Sequence, residues 1–425
     1  MYPKILNKPL IIIGFLIATA LRLWFSLKIH PPGDFIFSDM LAYDGHAQNL
    51  RDRHLGPWDT FSPHGYPALL ALIYSLSGKN FQWVAILQSL MGGATCVLAA
   101  LISKRMSPSR LLPWVVMTVM TFYLPLIYYG GFLLTETFCT FALTLSIWLL
   151  FRLVEFPKVS RALAAGLSLS ATALIRPNIL LVYAVLPIYF AIVFWPNRKQ
   201  AIGVWAKMLL FSLPLLLSVS VFNSKLMGKP VGLGTNGGLN FFLAHSDIRM
   251  AKFQRGTFHY AIGPIRNMLN YSVDFQSPVP LYDESFFYRE GWKNLRENPL
   301  RLLKDLDNVR EGIGLGKQDY WPHWEPWGKI VRLFSQLFFW AILLPLGFHL
   351  LWAWRDREPL RSQAAALPFT GLMILVVLVT MYVFLGDPRI HIPFDPLLIA
   401  AATSSWMFFS KKLRRPRIHA TRTIL

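Results

Sequence analysis

The chain has 425 residues, of which 54% are hydrophobic and 15% are charged, and its formal net charge is +20. A soluble domain carries about 25% charged residues, so this composition excludes an ordinary soluble protein. Apolar runs of about 20 residues recur along the chain, which predicts an all-α polytopic membrane protein rather than a barrel. The lysines and arginines cluster in short loops, as in cytosolic loops of membrane proteins, so we expect no nucleic-acid partner. Cys96 and Cys139 fall in apolar segments and are expected to be buried, not disulfide-bonded.

Ten apolar segments are predicted to cross the membrane, and the first is interpreted as an uncleaved signal anchor. The predicted spans are 9–29, 82–103, 111–129, 132–152, 162–176, 178–195, 203–222, 332–354, 364–385 and 391–410. With ten spans, all six basic segments fall on one side: Lys4 with Lys8, 104–110, 152–161, 198–199, 355–361 and 411–422. This predicts a multi-pass protein of the cell inner (plasma) membrane with both termini in the cytosol. Segment 65–78 is short for a span and is interpreted as an interfacial or re-entrant helix.

Two long segments, 30–81 and 223–331, then lie on the extracytosolic side and hold most of the acidic residues. We divide the chain into an N-terminal transmembrane module, 1–222, whose first outer loop is 30–81, and an extracytosolic loop region, 223–331. The third part, 332–425, contains the C-terminal transmembrane helices and a basic cytosolic tail.

The extracytosolic loop region contains two further patterns. Residues Tyr282 to Val309 show the periodicity of one amphipathic helix lying on the membrane or on the bundle. Trp321, Trp324 and Trp327 follow at a spacing of three, which is typical of an interfacial aromatic belt.

The first outer loop carries the strongest chemical signal, because four aspartates lie there beside a membrane: Asp39, Asp44, Asp52 and Asp59. Asp39 is the leading candidate, since Tyr43 follows one helical turn later and shares its face. The alternative for Asp39 is an ordinary solvated loop residue. Asp44 lies on a different face and is either a second acidic group or a salt-bridge partner of Arg51 or Arg53.

Histidines accompany these aspartates, and the loop re-enters apolar sequence through Pro63-His64-Gly65-Tyr66-Pro67. Aspartate and histidine together bind metals, but no tight ligand spacing such as HExxH is present. The sequence therefore assigns no metal ligand and no firm cofactor, and leaves a divalent cation as an open alternative. His64 and Tyr66 are candidates for substrate binding, together with Tyr43 and Asp44.

Three arginines fall at the same predicted end of their spans as the acidic loop: Arg22, Arg176 and Arg389. Arginine suits phosphate because its planar fork donates to two oxygens, so these residues predict an anion site. The alternatives are contact with lipid headgroups and, for Arg389, a pair with Asp387. Glu136 lies near the same end of its span and is a further candidate for substrate binding. It is expected to pair with an arginine or a histidine, since an unpaired buried carboxylate is costly.

A set of motifs in a fixed order points to a known family. After an arginine late in the first span come Ser38-Asp39-Met40-Leu41-Ala42-Tyr43, Pro63-His64-Gly65-Tyr66-Pro67, Thr135-Glu136, Ile175-Arg176-Pro177 and Asp387-Pro388-Arg389-Ile390-His391-Ile392-Pro393. From about residue 10 to 405, the chain resembles the GT-C superfamily of integral-membrane glycosyltransferases. It is most similar to the branch with the protein O-mannosyltransferases and the bacterial aminoarabinose–lipid A transferase.

The resemblance implies a GT-C-like helical bundle that binds a lipid-linked sugar phosphate at its extracytosolic face. Asp39 matches the acidic residue of the family's first outer loop. Many members have Asp-Glu there, whereas this chain has Asp39-Met40. Members commonly have Pro-Pro-Leu-Tyr-Pro where this chain has the motif containing His64, which marks a local specialisation.

The predicted chemistry is transfer of a sugar from a polyprenyl-phosphate donor to an acceptor hydroxyl of a lipid, a glycan or a protein. A prenyl phosphate leaves as a stable anion, so it needs cations and not an acid. A single general base, Asp39, then suffices, and direct displacement inverts the anomeric centre. The alternative function is a lipid-linked-sugar transporter or flippase, which would share the arginines but would not need a base.

Overall fold

The computed structural model describes residues 7–36, 38–246, 279–314, 327–356, 366–384 and 386–414. Within these ranges the chain is helical and contains no strand, which confirms the predicted all-α class. The α-helices are α1 Lys8–Trp24, α2 Asp39–Asp52, α3 Gly65–Ser77, α4 Phe81–Ser103, α5 Leu112–Phe122, α6 Leu124–Tyr128, α7 Thr135–Glu155, α8 Val159–Ile175, α9 Leu180–Val193, α10 Arg198–Met227, α11 Gly237–Ala244, α12 Glu284–Glu297, α13 Arg301–Lys304, α14 Leu306–Gly312, α15 Trp327–Asp356, α16 Ala366–Val383 and α17 Asp395–Arg414.

Seven helical segments in these ranges are long and apolar enough to cross a membrane, and an eighth arises if α5 and α6 form one broken span. Those two helices meet at a bend of 53°. Pro125 lies in the first turn of α6; it has no N–H to donate to the carbonyl of Thr121 four residues earlier, and its ring clashes with that carbonyl, which accounts for the break. The predicted spans 162–176 and 178–195 coincide with the short helices Val159–Ile175 and Pro177–Val193. The count of ten spans therefore stays a prediction for those two.

Helix packing centres on α4, which contacts α1, α5, α7 and α17, while α8 packs against α7 and α10. Small residues allow these close approaches, as is usual between membrane helices. At Gly166 of α8, an added Cβ would lie 2.6 Å from the carbonyl oxygen of Met208 in α10. Both free cysteines are buried in this core, as predicted.

The segment 65–78 forms α3, a helix of 13 residues that is too short to span a bilayer. Its first residue, Gly65, lies against the end of α8, where an added Cβ would be 2.7 Å from the backbone nitrogen of Ile175. Only glycine permits this approach, so α3 brings the preceding His64 to the end of the bundle where α8 ends.

The single amphipathic helix predicted from Tyr282 to Val309 is wrong, because the segment forms the three helices α12, α13 and α14. Pro299 lies at the first break; it has no N–H to donate and disfavours helix at Asn298. Of the predicted aromatic belt, Trp321 and Trp324 lie outside the described residues, and Trp327 begins α15. The proposed domain boundaries remain predictions.

A small separate core joins α11 to α12, built from Leu239, Phe242, Leu243 and Phe287. His245, which directly follows α11, is hydrogen-bonded to Asp305 at 2.7 Å, and Asp305 lies between α13 and α14. The backbone of Asn308 in α14 in turn lies directly against Gly386, so closely that no Cβ fits there. This unit therefore packs against the turn that precedes α17 and supports it.

Candidate active site

Four interruptions of the helical bundle meet at one end of the molecule. Asp39 is the first residue of α2, and Glu136 is the second residue of α7. Arg176 directly follows α8, and Arg389 lies in the 3-10 turn before α17. Residues that are far apart in sequence thus form one charged cluster, in which Asp387 is the fifth member.

Glu136 lies at the centre of this cluster and its side chain is 0% exposed. Its Oε1 accepts a hydrogen bond of 2.5 Å from Nη2 of Arg176 and lies 3.7 Å from Nη1 of Arg389. The predicted pairing of Glu136 with an arginine is therefore confirmed. Its Oε2 is buried without a hydrogen-bond partner among the residues that the structure describes.

Arg176 donates hydrogen bonds from all three of its guanidinium nitrogens to neighbouring protein groups. Nη2 donates to Glu136, Nε donates to Oγ1 of Thr135 at 2.8 Å, and Nη1 donates to the carbonyl oxygen of Arg389 at 3.4 Å. The side chain is 17% exposed. Arg176 thus fixes the backbone of the turn that carries Arg389.

Arg389 connects three carboxylates. Its Nε lies 3.0 Å from Oδ2 of Asp387, and its backbone amide donates to Oδ1 of the same side chain at 2.8 Å. Its Nη1 lies 3.5 Å from Oδ2 of Asp39 and 3.7 Å from Glu136. The pair with Asp387, considered as the alternative role of Arg389, is thus present together with a contact to Asp39.

Asp39 is the most open carboxylate of the cluster, with 45% of its side chain exposed. Crowding by protein atoms raises its pKa above the ordinary value; Arg389 opposes this shift, while Glu136 and Asp387 add to it. The carboxylate is open to solvent on one side, which explains its exposure, and it is enclosed by protein on the others, which explains its raised pKa. A carboxylate with a raised pKa and an open side is suited to accept a proton near neutral pH.

Uncharged aromatic residues of α2 and α3 lie next to this cluster. The Tyr43 ring meets the edge of Tyr66 at 5.4 Å between centroids, and the Tyr66 hydroxyl donates to Oε1 of Gln88 at 2.9 Å. Tyr43 lies one turn after Asp39, so the helical face predicted for both residues is confirmed. Tyr43 and Tyr66 therefore border the charged cluster.

Beyond the two tyrosines, two histidines link α2 to α3 and α10 through hydrogen bonds. Nε2 of His46 and Nδ1 of His64 are 2.9 Å apart, and Nε2 of His64 is 2.5 Å from Oδ1 of Asn223. Since the Asn223 amide nitrogen donates to the Gly232 carbonyl, its Oδ1 accepts the proton of His64 Nε2. Burial lowers the pKa of His46 to about 4 and also lowers that of His64, so both rings are neutral at pH 7.

Arg22 is the predicted site residue that lies apart from the cluster. It is 1% exposed, and its guanidinium donates to the carbonyl oxygens of Ala18, Met120 and Thr121 at 3.0, 2.9 and 3.2 Å. Two of these carbonyls belong to the last turn of α5, which has no further helical N–H to satisfy them. Arg22 thus caps α5 in this structure.

Asp44 also faces away from the cluster. It forms a salt bridge with Lys79 at 2.6 Å and accepts a hydrogen bond from the Tyr74 hydroxyl at 2.9 Å. Of its two predicted roles, the ion pair is present, but the predicted partners are wrong: Arg51 instead pairs with the adjacent Asp52. Asp44 lies five residues after Asp39, and this offset turns its side chain toward α3 and not toward the cluster.

Sequence reasoning missed the support beneath the Arg389 turn. Nδ1 of His391 lies 2.8 Å from Oδ1 of Asp395, whose Oδ2 accepts a hydrogen bond of 2.8 Å from the Tyr123 hydroxyl. Both His391 and Asp395 are buried. Their i, i+4 spacing was a visible signal, but Tyr123 at the break between α5 and α6 was not. These bonds fasten the turn that carries Arg389 to the rest of the bundle.

Within the described ranges, no group of three or more His, Cys, Asp or Glu side chains is arranged to hold a metal ion. Asp39, Glu136 and Asp387 share the two guanidiniums instead. The arrangement can therefore bind an anionic oxygen at Arg389 and accept a proton at Asp39.

No family model matches the chain, and no curated protein matches it by sequence. Solved structures do match: an archaeal oligosaccharyltransferase, AglB from Archaeoglobus fulgidus, in complex with an inhibitory peptide and a dolichol-phosphate, aligns at a TM-score of 0.53 and 12% identity. The alignment covers 96% of this chain and 51% of that one. A second structure of the oligosaccharyltransferase from this organism, tethered to an acceptor peptide with the NVT sequon, aligns with the same score and identity over 96% and 50%. The chain thus has a GT-C fold, as predicted, and spans about half the length of the structures it matches.

Proposed function

We propose that this multi-pass membrane protein is a glycosyltransferase that moves a sugar from a polyprenyl-phosphate donor to an acceptor hydroxyl at the extracytosolic face. The observation that carries the proposal is the pairing of Asp39 with Arg389 at 3.5 Å, at one end of the bundle. A proton acceptor and a phosphate-binding cation then face the same reacting centre. The fold likeness supports the donor class, since the matched archaeal oligosaccharyltransferase is in complex with a dolichol-phosphate.

The proposed step is a direct displacement. The acceptor oxygen attacks the anomeric carbon, the bond from that carbon to the phosphate oxygen breaks, and its electron pair stays on the departing polyprenyl phosphate. Asp39 takes the acceptor's proton as the new bond forms. Negative charge grows on the phosphate beside Arg389, which is where a preorganised cation is most effective. The anomeric configuration inverts, and no second carboxylate is needed as an acid.

The proposed roles of the arginines follow from what each guanidinium already contacts. Arg389 faces Asp39 and is 19% exposed, so we assign the donor phosphate to it. Arg176 holds the Arg389 turn and borders the same site. Arg22 is engaged by backbone carbonyls, which argues against its predicted role as a phosphate ligand.

Of the remaining predicted residues, Tyr43, Tyr66 and His64 lie on the α2 and α3 side of the site, whereas Asp44 faces away from it. We assign contacts with the sugar or the acceptor to Tyr43. Tyr66 is 0% exposed and packs against the Tyr43 ring, so we assign it a supporting role. The hydrogen bonds of His64 to His46 and Asn223 hold α3 against α2 and α10. A divalent cation enters no step of this mechanism. The acceptor class stays open among a lipid, a glycan and a protein.

The test uses the full-length protein in lipid nanodiscs with a panel of polyprenyl-phosphate and dolichyl-phosphate hexoses and pentoses. Membrane extract supplies the acceptors, and release of free polyprenyl phosphate is measured by chromatography. We expect release with at least one donor, and Asp39→Asn should lower it by about 10²–10⁴-fold.

Asp44→Asn is the matched control, because Asp44 is a carboxylate on the same helix that points away from the cluster. It should retain release near the wild-type rate. Unchanged release of polyprenyl phosphate in Asp39→Asn would show that Asp39 is not the general base. Translocation of a fluorescent lipid-linked sugar across the bilayer, without transfer and without need for Asp39, would favour the transporter function instead.

A further inference from the structure

We propose that Glu136 is a positioning residue for this transfer: it holds the Arg176 and Arg389 guanidiniums in place, and its negative charge keeps Asp39 an effective base beside Arg389. This inference rests on the proposed function, because it assigns a task within the same site. Glu136 itself touches neither the sugar nor the phosphate in this assignment.

The first support is geometric. Glu136 is completely buried, and both guanidiniums converge on its Oε1, at 2.5 Å for Arg176 and 3.7 Å for Arg389. Asp39 approaches the same Nη1 of Arg389 at 3.5 Å from its open side. Asp39 and Glu136 thus contact the same guanidinium nitrogen, and because Glu136 is fully buried it can hold the cation without occupying its exposed side.

The second support is the balance of charge around Asp39. Its carboxylate is faced by Arg389 and Asp387 from the turn before α17 and by Glu136 from α7, and Tyr43 is its uncharged titratable neighbour. Arg176 and Tyr129 belong to the same cluster through Glu136. Three carboxylates thus share two guanidiniums. With Arg389 alone, Asp39 would be held ionised and would be a weak proton acceptor. The charge of Glu136 offsets that effect, and it raises the pKa of Asp39.

The third support is the unpaired oxygen. A buried carboxylate oxygen without a partner is costly, and a purely structural ion pair would be expected to satisfy both oxygens. Oε2 of Glu136 has no hydrogen-bond partner in the described part of the chain, although Oε1 is shared by two cations. Met40, next to Asp39 in sequence, is 0% exposed in the core. The carboxylates near Asp39 therefore come from α7 and from the turn before α17, and not from the neighbouring position in the first loop.

The experiment reads the protonation of Asp39 directly, in the full-length protein in nanodiscs. Dicyclohexylcarbodiimide reacts with the protonated carboxyl group, so the labelled fraction of the Asp39 peptide, measured by mass spectrometry across pH, gives a titration midpoint. Asp39→Asn defines the background. In Glu136→Gln we expect the midpoint to move to lower pH by about one unit, as for the loss of one like charge that shares the Arg389 guanidinium with Asp39.

Glu155→Gln is the matched control, because it removes a carboxylate of the same helix that is paired with Arg105 at the other end of the bundle. It should leave the midpoint unchanged. Glu136→Asp keeps the charge but shortens its reach, so the midpoint should stay near wild type while binding of undecaprenyl phosphate weakens about tenfold. That variant also keeps the test available if Glu136→Gln folds poorly, as judged by gel filtration.

An unshifted midpoint in Glu136→Gln, or an equal shift in Glu155→Gln, overturns the proposal. Undecaprenyl phosphate binding at the wild-type level in both Glu136 variants also overturns it, because the guanidiniums would then bind phosphate without being positioned by Glu136. Failure of the proposed function is a separate result: Asp39→Asn would keep sugar transfer. The labelling assay requires no transfer activity, so the two outcomes are independent.

Discussion

Replacing Arg389 by alanine tests whether the phosphate of the donor lies where the structure indicates. The substitution removes the only guanidinium that contacts Asp39 within the described residues, and it leaves Asp387 without its 3.0 Å partner. Arg176 alone then remains to balance three carboxylates. We expect two effects, a loss of donor affinity and a loss of stability, and they have to be measured separately.

The size of the first effect follows from the geometry. Unit charges about 4 Å apart attract by about 4 kcal/mol at an effective dielectric of 20. Arg389 is 19% exposed, so solvent screening reduces this only partly. Truncating one partner of a buried charge pair typically costs about 2–5 kcal/mol, which corresponds to a dissociation constant that is larger by roughly 30-fold to several-thousand-fold. Arg389→Lys should recover only part, because a point charge lacks the bidentate fork.

The assay is titration of undecaprenyl phosphate into nanodiscs containing each variant, with thermal unfolding measured in parallel. Arg105→Ala is the matched control, since Arg105 is 24% exposed and forms a 2.7 Å salt bridge with Glu155 at the other end of the bundle. It should lose stability while keeping donor affinity. Wild-type affinity in Arg389→Ala, or an equal loss of affinity in Arg105→Ala, would refute the assignment of the phosphate to Arg389.

Three further outcomes are expected. Arg22→Ala should lower the free energy of unfolding by about 1–3 kcal/mol, as its bonded carbonyls lose their donor, with undecaprenyl phosphate affinity unchanged; a loss of affinity would return Arg22 to the phosphate site. His46 has its pKa lowered from 6.5 to about 4, so the native state favours the neutral ring, and stability should fall by up to about 3 kcal/mol as the pH drops from about 6.5 to 4; chemical unfolding of His46→Gln, which cannot titrate, should lack this component. Reporter fusions at Ser107 and Gly56 should report the cytosol and the outside respectively, and the reverse pattern would contradict the proposed catalytic side.

The parts of the fold that sequence alone predicted are those set by local chemistry. Apolar run length places the helices along the chain, and helical spacing places Asp39 and Tyr43 on one face of α2. The ends of helices predicted to lie on one side of the membrane do bring Glu136, Arg176 and Arg389 together. Position along the helix axes is thus readable from sequence, and it was enough to predict most members of the charged cluster.

Position around each helix was not readable in the same way. Arg22 lies near the expected end of its span, yet α1 turns it toward α5, where Met120 and Thr121 take its guanidinium. In a membrane bundle the lipid-facing and protein-facing sides of a helix are both apolar, so hydropathy does not show which neighbour a side chain meets. The partner of Asp44 was wrong for a related reason, since Lys79 approaches from the turn between α3 and α4, 35 residues away.

The contact between Arg389 and Asp39 also predicts how the pH dependence of transfer changes when the donor binds. In the donor-free protein, Arg389 faces Asp39 at 3.5 Å and lowers the pKa of its carboxyl group, against the upward effect of burial. A bound phosphate would compensate the charge of Arg389, so the pKa of Asp39 should be higher in the complex. The acid limb of kcat/KM reports the free enzyme and that of kcat reports the complex.

We therefore expect the acid limb of kcat to lie at higher pH than that of kcat/KM, measured as polyprenyl phosphate release. In Arg389→Lys the separation should shrink, because the lysine charge is not held against Asp39 by the Asp387 and Glu136 contacts. Coincident limbs in the wild type, or a kcat limb at lower pH, would show that the phosphate does not compete with Asp39 for this cation. The donor would then have to be held by another group, and the direct contact between base and phosphate site would have no part in the reaction.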